Sequence, residues 1–319
     1  MDYTVITNKK GENDMVGSTT ENGQDLEAKQ NLRKHGIFDT VPLLYTVTLI
    51  LIVFGQTLGT LLEFIPFMTG SDVLVTATLY FEFIGIWALA VLYMRFVEKN
   101  RPIFKAIGTD ASGNTWLYLL LGVGIGFGLN GLCILAAWLH GDIALYFDAF
   151  QPLHLLLIFV AVFIQSSAEE LLCRGFLYQR LMRSYGKPMV AIVVNSLFFA
   201  LMHLMNDGVT FLSLLNIFVV GVLFSLMVYY MDSIWCAMAV HTAWNFTQNI
   251  LFGLPNSGIV VPYSVFRLEA ASARDSFAYN VGFGIEGTLF ADVVLILACV
   301  GLYLWGRKYG RKPLDVWAE

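Results

Sequence analysis

Long apolar segments separated by short polar ones make up most of the chain from residue 41 onward. Eight of these segments have about the 20 residues that a helix needs to cross a bilayer. They run over 41–65, 72–95, 116–139, 152–172, 189–206, 209–230, 234–252 and 283–306. The pattern predicts an all-α, polytopic integral membrane protein with about eight transmembrane helices. The two-residue link at 207–208 predicts that the fifth and sixth helices form a tight hairpin.

The composition excludes a water-soluble globular protein. Hydrophobic residues make up 57% of the 319 residues and charged residues only 13%, whereas soluble domains have about 25% charged residues. No basic face is available for nucleic acid, so we expect no nucleic-acid partner. The lipid bilayer is the first partner that the composition implies.

The positions of the basic residues predict the orientation in the membrane. If the N-terminus is cytoplasmic, 17 of the 19 Lys and Arg residues fall on the cytoplasmic side, and only Arg267 and Arg274 fall outside. Basic residues concentrate in the cytoplasmic loops of membrane proteins. We therefore expect both termini to be cytoplasmic.

The same pattern divides the chain into four parts. Residues 1–36 are polar, lack apolar periodicity and predict a disordered cytoplasmic tail. Residues 37–151 hold the first three helices, and residues 152–252 hold the next four. Residues 253–319 hold an external loop, the last helix and a basic cytoplasmic tail.

Two features inside the apolar segments are expected to be structural. The glycines of GVGIGFGLNG at 122–131 include a GxGxxG pattern, but no strand precedes it. We expect the pairs Gly122/Gly126 and Gly124/Gly128 to let helices approach closely. Glu82 lies near the middle of the second segment, where we expect it to make a structural hydrogen bond.

Polar residues interrupt the apolar segments of the central part in three places. They are SSAEELLCRGFL with Glu169, Glu170 and Arg174, then NSLFFALMHL with Asn195, Phe199 and His203, then AVHTAWNF with His241 and Asn245. Ionisable groups are costly within a bilayer and are therefore usually functional.

Helix geometry predicts different roles for the two adjacent glutamates. Glu170 and Arg174 are four residues apart on one helix face and can form an ion pair. Glu169 points about 100° away from Glu170 and is free to face a cavity. Glu169 and His203 each lie 17 residues from Gly186 along the chain. An antiparallel helix pair that turns at Gly186 would hold them at equal depth, with the fourth helix continuing through 173–184.

Three functions fit such a cluster. A carboxylate and an imidazole can remove a proton from water, while an amide and a second imidazole stabilise an oxyanion, which suits hydrolysis of a peptide bond. Alternatively, Glu169, His203 and His241 could bind zinc or serve transport. The cluster could also be a polar network that only joins helices.

The motifs EExxxR, FxxxH and HxxxN, in this order on three membrane segments, resemble those of the CPBP intramembrane proteases. This family includes the type II CAAX prenyl endopeptidases and the bacteriocin-processing and Abi proteins. The resemblance covers roughly residues 152–252 and implies eight transmembrane helices. It implies that Glu169 and His203 activate water and that His241 and Asn245 form the oxyanion site. It gives supporting roles to Glu170, Arg174 and Phe199.

The resemblance leaves the substrate and the metal open. A peptide or membrane protein is the expected substrate, and Arg174-Gly175 and Asn195-Ser196 resemble bacterial members, which suggests a bacterial plasma membrane. HExxH, the usual zinc-protease signature, is absent from the sequence. We therefore favour a glutamate-activated water with no required cofactor, with zinc as the alternative. A non-catalytic scaffold or immunity-type binding protein is the second functional hypothesis.

Overall fold

The computed structural model describes residues 39–65 and 70–318. The predicted disordered tail at 1–36 lies outside the described residues. Within the described part, regular structure is almost entirely helical, and a two-stranded antiparallel ribbon joins β1 (Leu145–Phe147) to β2 (Phe266–Leu268). The predicted all-α class is therefore confirmed.

The helices follow the apolar segments of the sequence. In chain order, the α-helices of the described residues are α1 (Val41–Gly59), α2 (Asp72–Phe81), α3 (Ile84–Phe96), α4 (Ile103–Ile107), α5 (Trp116–His140), α6 (Pro152–Glu170), α7 (Tyr178–Tyr185), α8 (Pro188–Met202), α9 (Phe211–Met231), α10 (Ile234–Asn245) and α11 (Leu289–Tyr309). Short 3₁₀ turns cover Thr60–Phe64, Glu98–Asn100, Ala270–Ser272 and Ile285–Gly287. Two π-helical turns, Leu171–Leu177 and Phe246–Leu251, continue α6 and α10.

Six helical segments are long and apolar enough to cross a membrane in the described part of the chain. They are Val41–Phe64, Asp72–Phe96, Trp116–His140, Pro152–Tyr185, Phe211–Met231 and Leu289–Tyr309. Together they confirm a polytopic integral membrane protein. The remaining two predicted spans correspond to the 15-residue α8 and to α10 with its π turn. The count of eight transmembrane helices therefore stays a prediction.

The predicted fifth and eighth spans have the wrong bounds. Helix α8 ends at Met202, and residues 203–210 form an irregular link rather than a two-residue turn. His203 leaves the helical backbone conformation, and Gly208 has a φ of +71°. Helix α11 begins at Leu289, because the Thr288 hydroxyl caps it by accepting from the Ala291 amide.

The long fourth helical segment behaves as its sequence predicts. It runs without a break from Pro152 to Tyr185, through α6, the π turn and α7. It ends at Gly186, which has a φ of +61°, a conformation that glycine adopts without strain. The segment is therefore long enough to reach beyond the membrane.

Only one of the two predicted glycine pairs lies at a helix contact. A Cβ atom on Gly126 would lie 2.7 Å from the Cβ of Ala243, and one on Gly122 would lie 2.8 Å from the Cβ of Ala239. Nothing lies within 4 Å of such an atom on Gly124 or Gly128. Gly122 and Gly126 thus allow α5 to pack closely on α10, whereas the other pair faces away from the packed interior.

Helix α10 occupies the centre of the molecule. All of its residues except Trp235 are buried. By contrast, many large apolar side chains of α1, α5 and α11 are exposed, as lipid-facing residues are. The polar residues of α10 are therefore shielded from lipid by the surrounding helices.

Candidate active site

A cavity of about 420 Å³ lies between α6, α8, α9 and α10, and residues of α1 to α3 and of the loop before α11 complete its wall. It contains five of the seven residues that the motifs single out. They are Glu169, Phe199, His203, His241 and Asn245. The other two, Glu170 and Arg174, are fully buried behind this wall. The structure thus brings the three motifs together.

Local departures from α-helix follow two of the three motifs. Glu170 is the last residue of α6 and is followed by the π turn Leu171–Leu177, which contains Arg174. Asn245 is the last residue of α10 and is followed by the π turn Phe246–Leu251. Single π turns within α-helices occur frequently at functional sites.

The predicted ion pair between Arg174 and Glu170 is present. Arg174 Nη1 lies 3.1 Å from Glu170 Oε1, and neither side chain is exposed. Arg174 Nη2 donates to the Gly221 carbonyl at 2.9 Å, and the guanidinium lies 4.5 Å from the Phe199 ring centre. Glu170 is therefore committed to a buried cation and is not available to a substrate.

The imidazole of His241 lies between the two carboxylates. Its Nδ1 is 3.0 Å from Glu170 Oε1, and its Nε2 is 3.9 Å from Glu169 Oε2. Because a carboxylate only accepts, Nδ1 carries the proton of this hydrogen bond. Glu170 therefore fixes the ring orientation and directs Nε2 toward Glu169.

Glu169 faces the cavity. Its Oε1 accepts from Gln165 Nε2 at 2.7 Å, while its Oε2 has no hydrogen-bond partner among the described residues. Its side chain keeps 15% of its surface exposed, whereas Glu170 keeps none. The oxygen nearest to His241 is therefore the one that is free to accept a proton.

Asn245 is held by hydrogen bonds on both sides of its amide. Its Nδ2 donates to Gln165 Oε1 at 3.1 Å and makes a longer contact of 3.4 Å to Ser166 Oγ. Its Oδ1 accepts from Asn256 Nδ2 at 3.3 Å. These partners fix the amide orientation, and one N–H remains only weakly bonded.

His203 follows the last residue of α8 and belongs to the same cavity wall. Its Nδ1 is 2.8 Å from the Phe199 carbonyl, to which it donates, so Nε2 is the accepting ring nitrogen. Its ring lies 5.1 Å from that of Phe199, which in turn lies 5.9 Å from that of His241. Asn195, on the same motif segment, is not part of the site, because its amide donates to Ser225 Oγ at 2.6 Å.

Sequence analysis missed a carboxylate in the loop before α11. Glu286 Oε1 accepts from Trp244 Nε1 at 2.9 Å and from Asn256 Nδ2 at 3.1 Å. Glu286 Oε2 accepts from the backbone N and the Oγ of Ser257, both at 2.6 Å. Burial raises the pKa of Glu286, although the bonds from Ser257 and Trp244 act in the opposite direction. An acidic residue in a glycine-rich turn directly before an apolar segment is the only sequence signal of this role.

The described residues contain no complete ligand set for the metal-binding alternative. Among residues 39–65 and 70–318, no group of three or more His, Cys, Asp and Glu side chains is arranged to hold a metal ion. The described side chains of the site therefore do not amount to a zinc ligand set as they are arranged.

Comparison with known proteins agrees with the resemblance. Residues 151–247 match the family model described as type II CAAX prenyl endopeptidase, Rce1-like. The matched segment contains all three motifs, and it supports the similarity to the CPBP/Abi proteases. Searches of curated proteins and of solved structures gave no match.

Proposed function

We propose that this protein is an intramembrane endopeptidase that hydrolyses peptide bonds with a water activated by Glu169 and His203. The proposal rests on the different surroundings of two adjacent carboxylates. Glu170 is bound to Arg174, whereas Glu169 faces the cavity with an unpartnered oxygen 3.9 Å from His241 Nε2. Each of the two carboxylates has one oxygen without a hydrogen-bond partner among the described residues, but only Glu169 lines the cavity, where water and substrate can reach it.

The reaction balances with the residues of the cavity. Water transfers one proton to Glu169, assisted by the accepting Nε2 of His203, while its oxygen bonds to the carbonyl carbon of the peptide. The oxyanion that forms accepts hydrogen bonds from His241, in its protonated form, and from the weakly bonded N–H of Asn245. When the C–N bond breaks, the proton on Glu169 passes to the departing amine.

The substrate of this reaction is a peptide or a segment of a membrane protein. The cavity volume of about 420 Å³ lies in the usual range of about 300–1,000 Å³ for ligand pockets. Its wall is largely apolar and aromatic, which suits a short hydrophobic stretch of chain. The lipid bilayer excludes bulk water around such a site.

Cleavage should not depend on a metal, since our mechanism uses only side chains. The full-length protein in nanodiscs is incubated with a synthetic peptide mixture, and mass spectrometry identifies new termini. We expect cleavage that survives prior dialysis against EDTA and 1,10-phenanthroline. Loss of cleavage by dialysis and its return on adding Zn²⁺ would replace the glutamate mechanism with a zinc mechanism. The absence of any cleavage would favour the scaffold or immunity-type alternative.

We further propose that both termini face the cytoplasm of a bacterial cell. The distribution of Lys and Arg supports this orientation, and the basic residues Arg307 and Lys308 in the last turn of α11 are part of it. A cysteine added at either end, in a background with the four native cysteines replaced, should resist a membrane-impermeant maleimide until the cells are opened. Labelling of either end in intact cells would contradict the orientation.

A further inference from the structure

A second group of polar side chains lies in the wall of the same cavity, away from the three motifs in the sequence. Gln56 is near the end of α1, and Glu82 lies at the break between α2 and α3. Gln56 Nε2 donates to Glu82 Oε2 at 3.0 Å. This is the structural hydrogen bond that the sequence predicts for Glu82. It leaves Oε1 of Gln56 and Oε1 of Glu82 without a hydrogen-bond partner among the described residues.

One oxygen of each side chain is buried without a donor. Gln56 Oε1 and Glu82 Oε1 have no hydrogen-bond partner among the described residues, and Glu82 is only 5% exposed. The orientation of the Gln56 amide is fixed, because its NH₂ must face the carboxylate. The cavity wall therefore offers two neighbouring acceptors, and buried acceptors are rarely left without a partner.

The charges of the cavity favour a positively charged donor. Glu82, Glu169 and Glu286 all lie in its wall, where the described basic side chains are the imidazoles of His203 and His241 and none is a lysine or arginine. His241 lies beside Glu169 and Glu170 and so offsets the charge there. The carboxyl group of Glu63, on the turn that follows α1, lies close enough to hydrogen-bond with Glu82 when one of the two is protonated, and it repels the charge of Glu82 when neither is. A neutral donor would satisfy the two oxygens but would leave this negative charge without compensation.

We propose that Gln56 and Glu82 form a subsite that binds the ammonium or guanidinium group of a lysine or arginine in the substrate. The inference rests on the proposed protease function and adds a substrate class to it. A basic residue near the scissile bond would donate to Gln56 Oε1 and Glu82 Oε1. The same negative charge disfavours a substrate that places a C-terminal carboxylate in this subsite.

Binding of two matched peptides tests the subsite without requiring cleavage. The full-length protein carries Glu169→Gln to prevent turnover and is reconstituted in nanodiscs. The probes are an acetylated, amidated apolar decapeptide with one central lysine and its counterpart with norleucine at that position. We expect the lysine peptide to bind about tenfold more tightly, as hydrogen bonds to a charged group would allow. Adding Glu82→Gln should remove this preference, whereas Glu98→Gln, on an exposed side chain, should retain it.

Each outcome of this experiment decides the proposal. Equal affinities for the two peptides, or a lysine preference that survives Glu82→Gln, would overturn the subsite and favour a proton shared between Glu63 and Glu82. If Glu82→Gln does not yield folded protein, Gln56→Met removes one acceptor and should reduce the preference about threefold. An unchanged preference in Gln56→Met would also overturn it. Absence of cleavage in the peptide-mixture experiment would contradict the protease function but would leave this binding result intact.

Discussion

Glu169→Gln is expected to abolish peptide cleavage and leave the protein folded. General base catalysis contributes about 10²–10⁴-fold to a rate, so kcat should fall by that factor. The glutamine can still accept from Gln165 Nε2 through its Oε1, which keeps the local packing. The measurement is kcat in nanodiscs, together with thermal unfolding of the same preparation.

Glu170→Gln is expected to give the opposite result for stability. Glu170 and Arg174 are both fully buried, and removing one charge leaves a cation without its partner. Breaking a buried ion pair typically costs about 3–5 kcal/mol of unfolding free energy. Activity should fall as well, because the same carboxylate orients His241 through Nδ1. We therefore expect a lower unfolding temperature in Glu170→Gln but not in Glu169→Gln.

The matched control for both variants is Glu98→Gln, which makes the same chemical change on an exposed side chain. Its cleavage rate and unfolding temperature should equal those of the natural sequence. Equal destabilisation by Glu169→Gln and Glu170→Gln, or a greater loss at Glu169, would mean that the catalytic and supporting carboxylates have been assigned the wrong way round.

The motif positions could be predicted because they follow simple helix geometry. The spacing of Glu170 and Arg174 predicts an ion pair, and the structure contains it. The length of the apolar segments predicts most of the membrane helices, because a helix must have a long apolar stretch to cross a bilayer, whichever apolar residues form it. Burial of α10 follows from a related requirement, because the helix carries His241 and Asn245 and these must be kept away from lipid.

The remaining features depend on contacts that are distant in sequence. The π turns after Glu170 and Asn245 carry no sequence pattern that distinguishes them from α-helix. Helix α8 ends at Met202, before a loop in which the Asn206 side chain donates to the distant Ser257 carbonyl. Apolar periodicity contains no information about such partners. The hydrogen bonds of Glu286 to Asn256 and Ser257 could not be predicted from the sequence for the same reason.

Glu286→Ala is expected to impair both stability and catalysis. The substitution removes the acceptor for four donors, on Trp244, Asn256 and Ser257. Buried donors left without acceptors cost about 1–3 kcal/mol each, and water that enters the space will offset part of this. We expect the unfolding free energy to fall by about 2–4 kcal/mol. Thermal and denaturant unfolding in detergent measure this loss.

The catalytic part of the effect passes through Asn256. This residue donates both to Glu286 Oε1 and to Asn245 Oδ1, so its side chain connects the loop to the proposed oxyanion site. Loss of one oxyanion donor costs about 10²–10³-fold in kcat, and a misoriented donor should cost up to about 100-fold. KM should change less, because the ground-state amide of the substrate does not yet carry the negative charge that Asn245 is proposed to stabilise.

Two further variants separate positioning from stability. Asn256→Ala removes the connection but leaves Trp244 and Ser257 on Glu286, so kcat should fall with a smaller loss of stability. Thr288→Ala removes the cap of α11 next to this loop, costs about 1 kcal/mol and should leave kcat unchanged. A normal kcat in Asn256→Ala, or an equal loss of kcat in Thr288→Ala, would show that Glu286 only anchors the loop. The expected pattern would instead make this loop part of the catalytic apparatus, because it is the segment that holds Asn245 in position.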